Sequence, residues 1–461
     1  MRTVVNILLA FGMLLYAASA GAETLTVRDG GSIQDAVRKA KPGDVIQVYP
    51  GTYRETVFID KDEIHLLGVV EKRKWPVLDG EDKLNDGVLV SGHGVTIERL
   101  HVRRYKGNGV MTQGGNNFKI IGNIVEGAGV YGIFPQFGKN GLVSHNTIWG
   151  IEDAAIYVGM CDNVDIVHNE TFGSVMGIEG ENSHNILIEN NYVHNNSAGV
   201  MLSLVPSLPV KTSSGMIVRN NFIVNNNLKN FAPEGAIAAG VPAGTGVFIF
   251  ATDDIVIEGN LIKNNDSVGV MAADHSFIGG VPDPEMDPRP DKIRVLNNMF
   301  VDNGKAPKEA VAGLLKMAGI ETGPDILATG KGRKNCMSDP ESLNHVGTER
   351  WQLCEKGETS LQVASMQTAE PVANPPLTLE QKGRLTYLAV CTGCHAYSRR
   401  IVGPPMVAIR ALYRGKPEKM AAWIAAPTRK RHDYPEMPPQ NYLSPEVRLE
   451  VSRYILEELK N

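Results

Sequence analysis

"IIGNIV" at residues 120–125 is the stretch that decides the fold, because six later segments repeat its pattern. They are "VSHNTI" at 143–148, "IVHNET" at 166–171, "IENNYV" at 188–193, "VRNNFI" at 218–223, "IEGNLI" at 257–262 and "VLNNMF" at 295–300. The asparagines that these segments share are Asn123, Asn146, Asn169, Asn191, Asn221, Asn260 and Asn298. Their separations are 23, 23 and 22 residues and then 30, 39 and 38. A pattern that survives this lengthening indicates a repeat architecture with insertions in its later units.

Short alternating runs of Val, Ile and Leu within each repeat predict β-strands. A unit of about 22 residues cannot bury its own apolar face, whereas stacked units roughly 4.8 Å apart enclose a continuous core. We expect the shared asparagines to form a ladder, in which each side-chain amide bonds to its neighbours above and below. This structural role is favoured over contact with a ligand.

The opening segment of the solenoid, residues 32–68, predicts a short amphipathic helix around residues 33–40, a turn at Pro42 and Gly43, and then strands. Such a segment would cover the open end of the stack, whose unpaired backbone would otherwise recruit other chains. Together with the repeats it resembles the pectate-lyase-like superfamily of right-handed parallel β-helices, over residues 24–303. The resemblance implies a mainly β fold for the larger part of the chain.

The domain organisation predicted from the sequence has four parts. Residues 1–22 are expected to be a signal peptide, because Arg2 precedes an apolar run that closes on Ala18, Ser19 and Ala20. Residues 23–303 are expected to form the β-helix, residues 304–376 a capping segment with a helix near 307–317 and a linker, and residues 377–461 a small all-α domain. Export predicts a periplasmic protein, and no later segment is apolar enough to predict a membrane span. The net charge of -5, without a basic block, argues against nucleic acid as a partner.

The motif that carries chemistry is "CTGCH" at residues 391–395. Cys391 and Cys394 stand three residues apart on a predicted helical end and share one face, and His395 follows directly. This is the pattern of covalent haem attachment, in which two thiols bond the porphyrin and the imidazole binds iron. A zinc site would need a second pair of ligands, and a thioredoxin-like site would need a βαβ setting. The sequence places neither around the motif.

The last segment, residues 377–461, resembles small class I cytochromes c over nearly its whole length. The resemblance implies one covalently attached haem c, with His395 as one axial ligand. From "VGPP", it implies that Pro404 or its neighbour offers a carbonyl to the other ring nitrogen. From "YPEMPP", it implies Met437 as the second axial ligand, with Met406 as the rival. It also implies a close contact at Gly383 between the first and last helices, while Trp423 is either a pocket residue or ordinary core.

The other three cysteines carry weaker expectations. Cys336 and Cys354 lie within one short segment and can pair in an oxidising compartment, although sequence alone cannot fix the geometry that a bridge needs. Cys161 is expected to be a small buried side chain of the β-core.

The solenoid itself offers two features that bear on function. Its acidic residues fall in pairs, which we expect to be solvated turns: Glu152 with Asp153, Glu179 with Glu181, Asp253 with Asp254, and Asp274 beside His275. Aligned repeats also predict a vertical row of mainly apolar residues, either core or a docking strip for the haem domain or a partner. Its members are Phe134, Val158, Glu179, Met201, Phe248 and Met271.

Three possibilities therefore remain open from the sequence. The first is a periplasmic electron carrier whose β-helix recognises a redox partner protein or a polysaccharide. The alternative is a polysaccharide lyase or epimerase with an accessory cytochrome, and pure scaffolding is the third possibility.

Overall fold

The structure is a computed structural model that describes residues 22–206, 208–277, 283–360, 376–392, 394–400, 402–429 and 433–459. The predicted signal peptide, apart from its last residue, and nearly all of the predicted linker lie outside these residues. The described part of the chain is a stack of parallel β-coils followed by a group of helices. Within it, no helix combines the length and apolarity that crossing a membrane requires.

Three parallel sheets form the walls of the stack, and each coil contributes strands to them in a fixed order. Sheet 1 contains Thr24–Val27, Val45–Val48, His65–Gly68, Thr96–Glu98, Lys119–Ile121, Lys139–Ser144, Asp162–Val167, His184–Glu189, Ser214–Arg219, Asp253–Glu258, Arg294–Leu296, Cys336–Met337 and Gln352–Leu353. Sheet 2 contains Val57–Ile59, Val88–Val90, Val110–Gln113, Ile133–Gln136, Ala154–Gly159, Met176–Glu181, Ala198–Ser203, Thr245–Phe250, Val268–Ala273, Ile326–Ala328 and His345–Val346. Sheet 3 contains Gly51–Tyr53, Pro76–Asp79, His101–Arg103, Ile124–Glu126, Thr147–Trp149, Glu170–Phe172, Tyr192–His194, Phe222–Val224, Leu261–Lys263 and Met299–Val301. The prediction of a parallel β-helix is confirmed.

The asparagine ladder is also confirmed. The Oδ1 atom of Asn146 accepts hydrogen bonds from the backbone N–H of Asn123 at 2.8 Å and from its side-chain Nδ2 at 3.1 Å. The same pair of bonds recurs from coil to coil as far as Asn298. Residues before the ladder positions adopt left-handed backbone conformations, as at His145 with φ of 57°. The corner thus turns sharply while the ladder satisfies backbone groups that would otherwise be buried without partners.

The N-terminal helix α1, Ile33–Lys39, covers the first coils as predicted. Its N-cap is Ser32, whose hydroxyl accepts the N–H of Asp35, and Ile33 and Val37 are buried against the coils. The carboxylate of Glu55 also accepts hydrogen bonds from the N–H groups of Ile33 and Gln34. These contacts satisfy donors at the helix start and fix the cap to the stack.

The coils run on beyond residue 303, where the sequence led us to expect only a cap and a linker. Strands Ile326–Ala328 and His345–Val346 extend sheet 2, and Cys336–Met337 and Gln352–Leu353 extend sheet 1. The repeat is hidden in the sequence because its asparagine pattern stops after Asn298. Helix α2, Glu309–Met317, lies in this segment, and a disulfide joins Cys336 to Cys354.

The C-terminal residues form four helical segments. Among the described residues they are α3, Leu379–Thr386, continued as a π-helix over Tyr387–Cys391; α4, Met406–Tyr413; α5, Pro417–Ala425; and α6, Pro445–Arg453, continued over Tyr454–Glu458. Thr378 and Gln381 form a capping box at the start of α3. Helix α6 crosses α3 at Gly383, where a Cβ atom would lie 3.0 Å from the backbone of Glu450. Glycine is therefore needed for this close approach.

Candidate functional sites

The CTGCH motif begins at Cys391, the last residue of the π-helical end of α3. The N–H of His395 donates to the carbonyl oxygen of Cys391 at 3.0 Å, and the N–H of Gly403 donates to that of Cys394 at 2.7 Å. Burial raises the pKa of the Cys391 thiol to about 12 and that of Cys394 to about 11. Both sulfurs are therefore neutral thiols at physiological pH.

His395 is held by the segment that the sequence singled out. Its Nδ1 atom lies 2.8 Å from the carbonyl oxygen of Pro404, so Nδ1 carries the proton and Nε2 keeps its lone pair for a metal. Burial lowers the pKa of His395, which favours the neutral ring that binds iron. At Gly403 a Cβ atom would stand 2.3 Å from the imidazole. Any residue larger than glycine at position 403 would therefore clash with the ring of His395.

One cavity of about 390 Å³ adjoins all of these groups. Cys391, Cys394, His395 and Met437 line it, among mainly apolar side chains. Met406 and Trp423 line it too, so the cavity alone does not choose between the two methionines. Two neutral thiols, an imidazole with one nitrogen held and a thioether around an apolar space form a donor set that fits haem c.

The helical segments lie against the outward face of sheet 2. The side-chain amide of Gln113 donates to the hydroxyl of Thr386 at 3.2 Å, and the hydroxyl of Tyr442 donates to Asp86 at 3.0 Å. Asp86 is completely buried, and it also accepts hydrogen bonds from Asn85 and Asn108. Burial raises its pKa despite these three donors. The contact between solenoid and helices thus contains a desolvated polar centre as well as apolar packing.

The row of residues on this face differs in one member from the row predicted by aligning the repeats. Ile133 pairs with Ile156, so Tyr157 stands beside Phe134 and Val158 points into the core. The row contains Leu89, Met111, Phe134, Tyr157, Glu179, Met201, Phe248, Met271 and Leu327. It joins one apolar cluster with side chains of the helical segments, such as Tyr387 and Val447. Towards the later coils the row is covered by insertions instead, since the rings of Phe248 and Phe277 are 5.7 Å apart.

A second cavity, of about 760 Å³, lies between sheet 2 and the helical segments. Asp153, Glu179 and Glu181 line it, from two adjacent coils. The expectation of solvated turns is therefore wrong for these residues, because Glu179 is only 3% exposed and Glu181 only 9%. The sequence does not group Asp153 with Glu179 and Glu181, because these residues lie on adjacent coils and only the register of the strands brings them together.

The three carboxyl groups have strongly perturbed acidities. Burial raises the pKa of Asp153 and of Glu179 well above their usual values, and nearby carboxyls add to the effect. Burial also raises the pKa of Glu181, to about 7, although hydrogen bonds with Glu179 and Tyr157 oppose the shift. The cluster thus retains protons to near neutral pH, which suits proton transfer or the capture of a compensating charge.

The remaining acidic pairs do not gather into a site. Glu152 is exposed, and Asp254 forms an ion pair with Arg294 at 2.7 Å. Asp253 accepts the backbone N–H of Asp291, and His275 lies 2.7 Å from the carbonyl oxygen of Leu204 through Nε2. Asp253, Asp254 and His275 thus have structural partners. Cys161 is buried in the core as expected, and burial raises its pKa to about 12.

The sequence matches the family model described as a right handed beta helix region over residues 81–207. Among solved structures, the chain is similar to an alginate lyase from Paenibacillus sp. str. FPU-7, with 15% identity and a TM-score of 0.42 over 62% of this chain and 99% of that one. It is also similar to the A-module of a mannuronan C-5 epimerase from Azotobacter vinelandii, with 16% identity and a TM-score of 0.45 over 69% and 86%. A third is the pectate lyase Pel9A, with 14% identity and a TM-score of 0.34 over 63% and 80%. No curated protein matches the sequence.

Proposed function

We propose that the chain is a periplasmic electron-transfer protein that carries one haem c, with the β-helix as the scaffold for the haem-bearing helices. The observation that carries this proposal is the convergence of Cys391, Cys394, His395 and Met437 on one apolar cavity. Bound haem c would supply a one-electron redox couple. Cys391 and Cys394 would anchor it, and His395 would bind the iron with its orientation set by Pro404.

Met437 is the proposed second axial ligand. With its thioether and the imidazole of His395 both holding the iron, bound haem would have a raised reduction potential and no open position for oxygen chemistry. The electrons would pass to or from a periplasmic redox partner that the β-helix recognises. N-terminal sequencing of protein recovered from the periplasm would test the location, and a mature chain that starts near residue 23 is expected.

The decisive experiment is the visible spectrum and intact mass of the full chain, expressed with the haem-attachment machinery of the periplasm. We expect the sharp reduced bands of a c-type cytochrome and a mass increase of one haem. Cys391→Ser with Cys394→Ser should abolish covalent haem, whereas Cys161→Ser, which alters a buried thiol elsewhere, should keep it. A colourless mature protein with both motif thiols open to alkylation would exclude the proposal.

The assignment of the second axial ligand has its own test. Met437→Ala should lower the reduction potential and change the spectrum of the oxidised protein, while Met406→Ala should leave both nearly unchanged. The reverse pattern would assign the role to Met406.

A second candidate function is favoured by the acidic cavity: polysaccharide lyase or epimerase activity of the β-helix. Such chemistry needs a group that removes a proton beside the sugar carboxylate and a group that returns one. Glu181, with its pKa near 7, and the neighbouring Tyr157 hydroxyl are the candidates. Incubation with alginate or pectate should then produce unsaturated ends or altered uronate composition. Glu181→Gln should abolish that activity and Glu152→Gln should not. Unchanged polymers with the native chain would exclude this candidate.

A further inference from the structure

The cavity between sheet 2 and the helical segments is lined by hydrogen-bond acceptors that have no donor. The side-chain oxygens of Asn108 and Gln136 are buried and have no hydrogen-bond partner among the described residues, and one carboxyl oxygen of Asp153 is in the same state. Asn108 and Gln136 are each only 4% exposed, and both line the cavity. Buried acceptors are normally satisfied, so these three oxygens indicate a ligand that donates hydrogen bonds.

The same cavity contains acidic groups without cations. Within the described chain, none of Asp153, Glu179 and Glu181 forms an ion pair. Two basic residues line the cavity, Lys211 and Arg384. Lys211 pairs with Asp283 at 2.7 Å, and Arg384 is exposed to solvent. Buried carboxyls without a counter-charge are costly once ionised, so a positively charged ligand would be strongly stabilised there.

The cavity walls favour an organic cation over a metal ion. Tyr131 packs against Phe134 and Tyr157, with ring centroids 4.6 and 4.4 Å apart. Aromatic faces attract ammonium groups and cover carbon frames. Among the described residues, the only acidic, histidine or cysteine trio close enough to surround one ion is Cys336, Cys354 and Glu358, which lies elsewhere. The volume of about 760 Å³ falls within the range of roughly 300–1,000 Å³ that is usual for small-molecule sites.

We propose that this cavity binds a small organic molecule that carries a protonated primary amine, with the ammonium group beside the carboxyls of Glu179 and Glu181. An ammonium has three donors and no acceptor, which suits the two carboxyls and the unpartnered oxygen of Gln136, a residue that the strand register places next to the level of Glu181. The aromatic wall and the thioethers of Met176 and Met201 contact its carbon frame. Asn85, Val390 and Cys394 line both cavities, so the bound amine lies next to the CTGCH motif.

Calorimetric titration of the full mature chain at pH 7.5 tests the inference with pairs of probes that differ in charge. The pairs are glucosamine with glucose, and benzylamine with benzyl alcohol; calcium chloride is a separate arm. At least one amine should bind, and its neutral counterpart should bind about tenfold more weakly or not at all. Binding of the neutral members as tightly as the amines, binding of calcium alone, or no binding of any probe would overturn the proposal.

Variants locate the binding. Glu179→Gln with Glu181→Gln should weaken amine binding by at least about tenfold, because the charge-assisted hydrogen bonds are lost. Gln136→Leu keeps the carboxyls and should weaken it by a smaller factor. Glu152→Gln, which removes an exposed charge next to Asp153, should have no effect. Amine binding that persists in both cavity variants, with circular dichroism showing them folded, would place the site elsewhere and refute the inference.

Discussion

The two faces of sheet 2 are built from neighbouring residues and differ in composition. The inward row, from Val110 through Ile133, Ile156, Ile178, Val200, Val247 and Val270, is aliphatic and fully buried in the solenoid core. The outward row, one residue further along each strand, contains methionines, aromatic rings and Glu179. Uniform branched side chains suit identical stacked coils. Varied side chains suit a face that contacts other elements and lines cavities, so the outward face is where function should be sought.

The sharpest test of this contrast uses adjacent residues on strand Val110–Gln113. Val110→Asp places a charge in the core and should abolish folding, at a cost on the order of 5 kcal/mol. Met111→Asp is equally buried but lies on the outward face, in one cluster with the helical segments. It should free those helices for proteolysis while the solenoid keeps its β-sheet circular dichroism. Collapse of both variants alike would mean that the outward row is core as well.

Substitutions in the asparagine ladder test how much this repeated feature contributes to the stability of the solenoid. Asn191→Ala removes the acceptor for the N–H and Nδ2 of Asn169, and also the donors to Ile166 and Asn221. Several buried groups lose their partners, so the free energy of unfolding should fall by about 3 kcal/mol, measured by chemical denaturation. Asn190→Gly is the matched control, because Asn190 is exposed and glycine readily adopts its φ of 56°. An equal loss of unfolding free energy in both variants would show that the ladder hydrogen bonds do not stabilise the solenoid.

The sequence predicts the repeating part of the molecule well and the rest poorly, for a physical reason. The ladder of Asn123 to Asn298 and the helix α1 are encoded by local patterns, so both could be read directly. The coils after Asn303 lack the pattern and were missed, although their strands pair in the same sheets. The repeats predict Val158 in the outward row, whereas the structure has its neighbour Tyr157 there. Because Tyr157 lines the cavity between sheet 2 and the helical segments, this cavity could not be predicted from the sequence. In the helical segments, the CTGCH motif and the resemblance to class I cytochromes c predicted which residues line one cavity. The resemblance also predicted the hydrogen bond between His395 and Pro404.

The acidic cavity makes the outward face sensitive to pH in a way that the inward face cannot be. The pKa of Glu181 is raised to about 7 in the folded chain, so the folded state holds its proton more tightly than the unfolded state does. The resulting stability is fully present below the usual pKa of glutamic acid and is lost as the pH rises towards 7 and above. Between pH 5 and pH 8 the unfolding free energy should therefore fall by on the order of 1–3 kcal/mol from this cluster.

Glu179→Gln with Glu181→Gln should flatten that pH dependence, because neither amide ionises. Thermal unfolding of native and variant chains at pH 5 and pH 8 measures this pH dependence. The stability of the variant relative to the native chain should be higher at pH 8 than at pH 5. Glu152→Gln is the control, and its profile should follow the native one. A variant profile as steep as the native profile would show that the cluster does not titrate in this range.

The smallest expected effect concerns one of the hydrogen bonds between the solenoid and the helical segments, that from Tyr442 to Asp86. Tyr442→Phe removes the donor to Asp86 and leaves the ring in place, while Asn85 and Asn108 continue to donate to the carboxyl. Net hydrogen bonds of this kind contribute about 1 kcal/mol, so the helical segments should become modestly more open to protease while global unfolding hardly changes. Tyr434→Phe, on the same segment and with its ring against Arg400, is the comparison. If Tyr442→Phe is no more open to protease than Tyr434→Phe, the hydrogen bond from Tyr442 to Asp86 does not help to hold the helices on the outward row.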